Sequence, residues 1–180
     1  RSRCRELRLA PLSPDAMELA LRQASAQSAD SAALAQLSGG SVGEAIRMMA
    51  GDGAELYAQI IALLDQLPRL PRPALRKLCD SLAGKQAEPR FDLLVRLFDL
   101  ALSRLAKAGA TGQALPEAAP GEAAILARLS ANPAIARIWA QRAAELGARA
   151  RAARAVNLDP GALVLDMFLR LEAALQKPLA

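Results

Sequence analysis

The sequence predicts an all-α protein, and three observations carry that expectation. Good helix formers (Ala, Leu, Arg, Glu, Gln) dominate while β-branched residues are sparse. Hydrophobic residues make up 53% of the 180-residue chain but aromatics only 3%, so any core must be aliphatic. Apolar residues recur at helical spacing, and Pro and Gly breaks interrupt them too often for a continuous coiled coil.

Residues 5–11 alternate, with Leu7 and Leu9 on one side and charges on the other, which predicts a short extended segment. Ser13-Pro14-Asp15 then opens a helix: Ser13 suits the N-cap, Pro14 the first helical position, and Asp15 the positive end of the helix. That helix is expected to run to about Ala26, with a short second helix after Asp30 that turns Leu34 and Leu37 inward and ends at Gly39-Gly40. Ser41 and Glu44 have the spacing of a capping box at the start of a third helix carrying Ala45, Ile46 and Met49. Gly51-Asp52-Gly53 breaks the chain again. Three short helices with few large apolar residues make a bundle that is marginal alone.

Beyond Glu55 the expected helices lengthen. Leu56, Ile60, Leu63, Leu64 and Leu67 form one stripe, stopped by Pro68. Pro71 and Pro73 restart a helix with Leu75, Leu78 and Leu82 inward. Between Arg90 and Ala108, Phe91, Leu94, Val95, Phe98, Leu102 and Leu105 form a stripe at 3.6 spacing, while Leu93, Leu97 and Leu100 form a second. A helix with two apolar faces packs on both sides, so it is expected centrally or at a subunit contact. The Ala-, Gly- and Pro-rich stretch from Gly109 to Gly121 predicts a mobile loop with no phosphate-binding spacing. Asn132-Pro133 opens a helix with Ile135, Ile138, Trp139 and Leu146 on one face, followed by a basic flank from Arg142 through Arg149, Arg151 and Arg154. Asn157-Leu158-Asp159-Pro160 opens the last, with Val164, Met167, Phe168, Leu171 and Leu175 inward.

Chemistry is thinly represented. The chain has no His, which removes Ser-His and Cys-His pairs, and two Cys cannot complete a four-ligand zinc site. Neither G-x-x-x-x-G-K-[ST], G-x-G-x-x-G nor H-E-x-x-H occurs, and no carboxylate pair stands out. A self-contained active site, a bound cofactor and a metal are therefore not expected. Cys79 and Trp139 read as packing residues and Cys4 as a small buried one. The net charge of +5 and pI near 9.9 suit a nucleic-acid partner, and leave the Arg137–Arg154 arginines open as a solvated face, a subunit contact or a patch near DNA. No apolar run approaches the ~18 residues of a membrane span. With no signal-peptide pattern at the start and so few cysteines, a reducing cytoplasm is the expected location.

One string remains. Ser2-Arg3-Cys4 precedes Leu7-Arg8-Leu9-Ala10-Pro11-Leu12-Ser13 and a capped helix, and further on stands Gly39-Gly40-Ser41-Val42-Gly43-Glu44-Ala45-Ile46. In this order the chain resembles subunits of the bacterial DNA polymerase III clamp loader, of the AAA+ clamp-loader family: a Ser-Arg-Cys motif, a short strand, a lid helix, then a Gly-Ser-x-x-x-Ala helix start. Asn157-Leu158-Asp159 before an apolar helix resembles the family's last collar helix. The resemblance implies that residues 1–11 end an AAA+ core, 12–53 form a three-helix lid, and 54–180 form a collar of five or six helices that holds the oligomer. It implies that a nucleotide-binding domain precedes these residues.

The resemblance also implies roles. Arg3 corresponds to an arginine finger acting in trans on ATP held by an adjacent subunit. An always-charged planar fork suits that task, and in P-loop GTPases such fingers are worth about 10³–10⁵ in rate. In the family's motor subunits a nucleotide-sensing Arg lies three residues after the glycine of Gly-Ser. Here that position is Gly43, with Arg47 one helical turn further. The implied type is a non-hydrolysing arm of a DNA-directed DNA polymerase holoenzyme, not catalytic alone. Its implied partners are the motor and δ-type subunits through the collar, a neighbour's ATP, DNA indirectly, and no membrane. A motor-type subunit (γ/τ-like) with a degenerate lid, and a standalone helical scaffold or nucleic-acid-binding module, remain the alternatives.

Overall fold

In the computed structural model, which describes residues 9–26, 30–84 and 87–176, a single long helix organises everything else. The described residues form nine helices and no strand: α1 (Pro14–Gln23), α2 (Ser31–Leu37), α3 (Val42–Ala50), α4 (Gly53–Asp65), α5 (Arg72–Asp80), α6 (Ala87–Thr111), α7 (Glu122–Leu129), α8 (Pro133–Ala155) and α9 (Pro160–Gln176). The central helix is α6. Its two apolar faces are both covered, and Leu94, Leu97, Ala101, Leu102 and Leu105 are wholly buried. It packs against α4, α7, α8 and α9. Phe98 meets Phe168 of α9 edge to face, with centroids 5.0 Å apart and planes at 72°.

Helix α8 lies along much of α6, and small residues allow the close approach. Its inward row is Ala136, Trp139, Ala143, Leu146, Ala150 and Ala153. Ile135 and Ile138, expected inward, are only half-buried beside this row. Large apolar residues in the sequence drew the stripe toward themselves, whereas the contact is built on alanine. Near the end of α6, a Cβ at Gly109 would lie 2.8 Å from the Ser130 carbonyl oxygen and 3.1 Å from the Ala136 Cβ, so only glycine fits. The Trp139 Nε1–H donates to the Leu129 carbonyl at 2.8 Å and ties α8 to the end of α7.

Local signals set the other boundaries. Ser13 caps α1 by accepting from the Ala16 N–H at 3.3 Å, and Asn132 caps α8 by accepting from the Ala134 and Ile135 N–H groups at 3.0 Å. Asp159 takes the equivalent place for α9, accepting from the Ala162 N–H at 2.7 Å. α1 stops at Gln23 rather than Ala26, because Ser25 turns left-handed and the Ala26 N–H bonds back to the Leu21 carbonyl. Residues 9–11 form no strand, and the rest of the expected extended segment lies outside the described residues.

The first three helices bury Met17, Leu21, Leu34, Leu37, Ala45 and Met48 together. Of the apolar residues on α3, Ala45 and Met48 face inward, whereas Ile46 is exposed. Gly40 is left-handed (φ +75°), and the Leu12 N–H donates to its carbonyl at 3.1 Å, closing the turn before α3 against the start of α1. Only Gly51 and Asp52, the latter left-handed at φ +53°, separate α3 from α4. The buried apolar cluster runs on through this turn, from Met48 to Leu56 and into α6. Among the described residues no helix is long and apolar enough to cross a membrane.

Candidate functional site

Ser2, Arg3 and Cys4, the residues with the most specific expected chemistry, lie outside the described residues. Gly43, the expected sensor position, sits exposed in the first turn of α3. A Cβ there would have only the Arg47 guanidinium nearby, at 3.9 Å, so nothing steric demands glycine. The site holds no cation of its own. Arg47 does not fill it: its Nε and Nη2 both donate to Glu44 Oε2, at 3.0 and 2.7 Å.

Glu44 corrects the expected capping box. Ser41 performs its half, accepting from the Glu44 N–H at 3.4 Å. The Glu44 carboxylate does not reach back to the N-cap. Its second oxygen is paired with Arg96 on α6, so it holds two guanidinium groups at once. Partial burial alone would raise this carboxyl, but the Arg47 hydrogen bond and the charges of Arg96 and Arg47 outweigh it, leaving it below the usual carboxylate range. Glu44 therefore links α3 to α6.

Beside this link runs a groove of about 970 Å³, between the α3–α4 turn, the first half of α6 and the second half of α8. Phe91, Leu93, Val95 and Ala150 line it with apolar surface, and Arg47, Arg90, Arg96, Arg151 and Arg154 stand around it with Asp52, Asp92 and Asp99. Leu93 packs against Gly51 so closely that a Cβ there would lie 2.7 Å from its Cδ2. Much of the expected basic flank is internally neutralised. Arg154 pairs with Asp92 and Glu88, Arg149 with Asp166, and Arg142 with Glu145. Arg151 has no ion pair or hydrogen bond to its side chain among the described residues.

The most heavily constrained polar cluster was not apparent from the sequence. Glu122, at the start of α7, is wholly buried. Its Oε1 accepts from the Tyr57 hydroxyl and from Arg104 Nε, both at 2.6 Å; its Oε2 accepts from Arg104 Nη2 at 3.1 Å and the Ala118 N–H at 2.7 Å. Arg104 also donates to the Pro116 carbonyl at 2.5 Å. Burial pushes the Tyr57 hydroxyl well above its ordinary value, and the hydrogen bond and charge of Glu122 push it further. The cluster tethers the connection between α6 and α7 at Pro116 and Ala118, with Ala118 and Ala119 buried; that connection starts after Thr111 rather than at Gly109, because α6 runs further than expected. Within it a carboxylate, a guanidinium and a phenol saturate one another, leaving no free group for a substrate.

A second polar anchor joins α9 to the α4–α5 connection. Glu172 accepts from the Leu70 N–H at 2.8 Å and pairs with Arg72. Cys79 is half-buried, and burial raises its thiol, as do the nearby carboxylates of Asp80 and Asp159; it is a packing residue and no thiolate nucleophile. Among the described residues no group of three His, Cys, Asp or Glu could hold a metal. Compared with known proteins, the chain matches no family model, no curated protein and no solved structure.

Proposed function

We propose that this chain belongs to a clamp-loader subunit of the δ′ type, a non-hydrolysing arm of the bacterial DNA polymerase III clamp loader. The reading rests first on the order of Ser2-Arg3-Cys4, the capped α1, and the Gly-Gly-Ser turn that opens α3. A unit of three short helices followed by six helices agrees with a lid and a collar. The observation that selects the subunit type is Gly43. At the position where a motor subunit carries its nucleotide-sensing arginine there is no side chain, and the nearest cation, Arg47, is held by Glu44.

On this reading the subunit contributes to ATP hydrolysis only by lending Arg3 to the nucleotide of a neighbour. The planar guanidinium would neutralise charge that accumulates on the transferring phosphoryl group. The protein would act in the cytoplasm, binding its motor and δ-type partners through the helices beyond Gly53.

The test is assembly with nucleotide accounting. The complete protein, mixed with the motor and δ subunits from its own organism, should co-elute as one complex. It should bind no labelled ATP alone at concentrations that saturate the motor subunit. Failure to enter the complex would refute the assignment to the family. Tight ATP binding by the isolated protein would refute the δ′ type and favour the motor type.

A further inference from the structure

We draw no further inference here: the strongest candidate, the outward apolar row of α9 formed by Ala162, Leu165, Leu169 and Ala173, carries nothing further because nothing in the structure shows what covers it.

Discussion

Replacing Arg104 with methionine tests the best-defined interaction in the molecule. Methionine keeps most of the side-chain volume, so the effect reports on the guanidinium. Arg104 supplies two of the four donors on Glu122, at 2.6 and 3.1 Å, and the donor on the Pro116 carbonyl. Glu122 itself is 0% exposed and cannot recruit water without opening the α6–α7 contact. Breaking one side of such a buried pair costs about 3–5 kcal/mol. For a domain of this size that is a fall of about 6–20 °C in melting temperature.

Tyr57→Phe removes one hydrogen bond to a charged group and should cost about 2 kcal/mol. The two substitutions share Glu122 Oε1, so their effects should be non-additive by an amount a double-mutant cycle can resolve. Arg104→Met combined with Glu122→Leu should recover part of the loss, but not all. The Ala118 N–H and the Pro116 carbonyl would remain without the partners they have now. Denaturant unfolding measures each value, and hydrogen exchange at the Ala118 amide reports whether the connection around Pro116 and Ala118 is released. A loss under about 1 kcal/mol for Arg104→Met would refute the claim that this pair anchors the segment.

Other expectations are simpler. Gly40→Ala should destabilise strongly, since a Cβ at φ +75° would lie 2.5–2.8 Å from Leu12 and Pro11. Gly39→Ala, also left-handed but with nothing within 4 Å, should cost only about 1 kcal/mol, and thermal melts compare the two. Gly147→Ala should stabilise by about 0.5–1 kcal/mol, because it removes a mid-helix glycine at which a Cβ would meet only the ends of the Arg151 and Asp99 side chains, at 3.3 and 3.9 Å. The Glu172 carboxyl is raised by burial but more strongly lowered by the Leu70 N–H and Arg72, giving a folded value below the unfolded one. Its contribution is therefore present above about pH 4.3 and lost as the pH falls through the folded value, and Glu172→Gln should flatten the acid limb of a stability–pH curve. Tyr57 has the opposite sign: its raised folded value means that stability is lost above about pH 10, and Tyr57→Phe should remove that part of the alkaline loss.

What could be read in the sequence is what local physics decides. Ser13, Ser41 and Asn132 cap helices where their spacing to Pro14, Glu44 and Pro133 says they should. The double stripe of α6 foretells a helix covered on two sides, because periodicity records burial directly. The misses share a cause. Glu122 reads as an ordinary first-turn acid, and its partners are 18 and 65 residues away in sequence. Glu172 reads as one more polar residue on α9, yet it meets Leu70 across 102 positions. No single-sequence pattern marks a buried carboxylate, since nothing local announces the donors that neutralise it. α7 has no clear mark in the sequence, because its short, alanine-rich run carries too few large residues to stand out. The spacing of Glu44 points to the wrong partner for the same reason: a capping box is local, whereas Arg96 competes for the carboxylate from 52 residues away.

The central functional claim concerns a residue that no fold argument reaches. It is tested most directly by ATP turnover in an assembled clamp loader in which only this subunit carries Arg3→Ala, with Arg3→Lys as a charge-preserving control. Assembly should be unchanged for both, while turnover falls by at least about tenfold in Arg3→Ala and is only poorly rescued by lysine, which lacks the planar fork. Turnover equal to that of the unmodified complex would contradict the account.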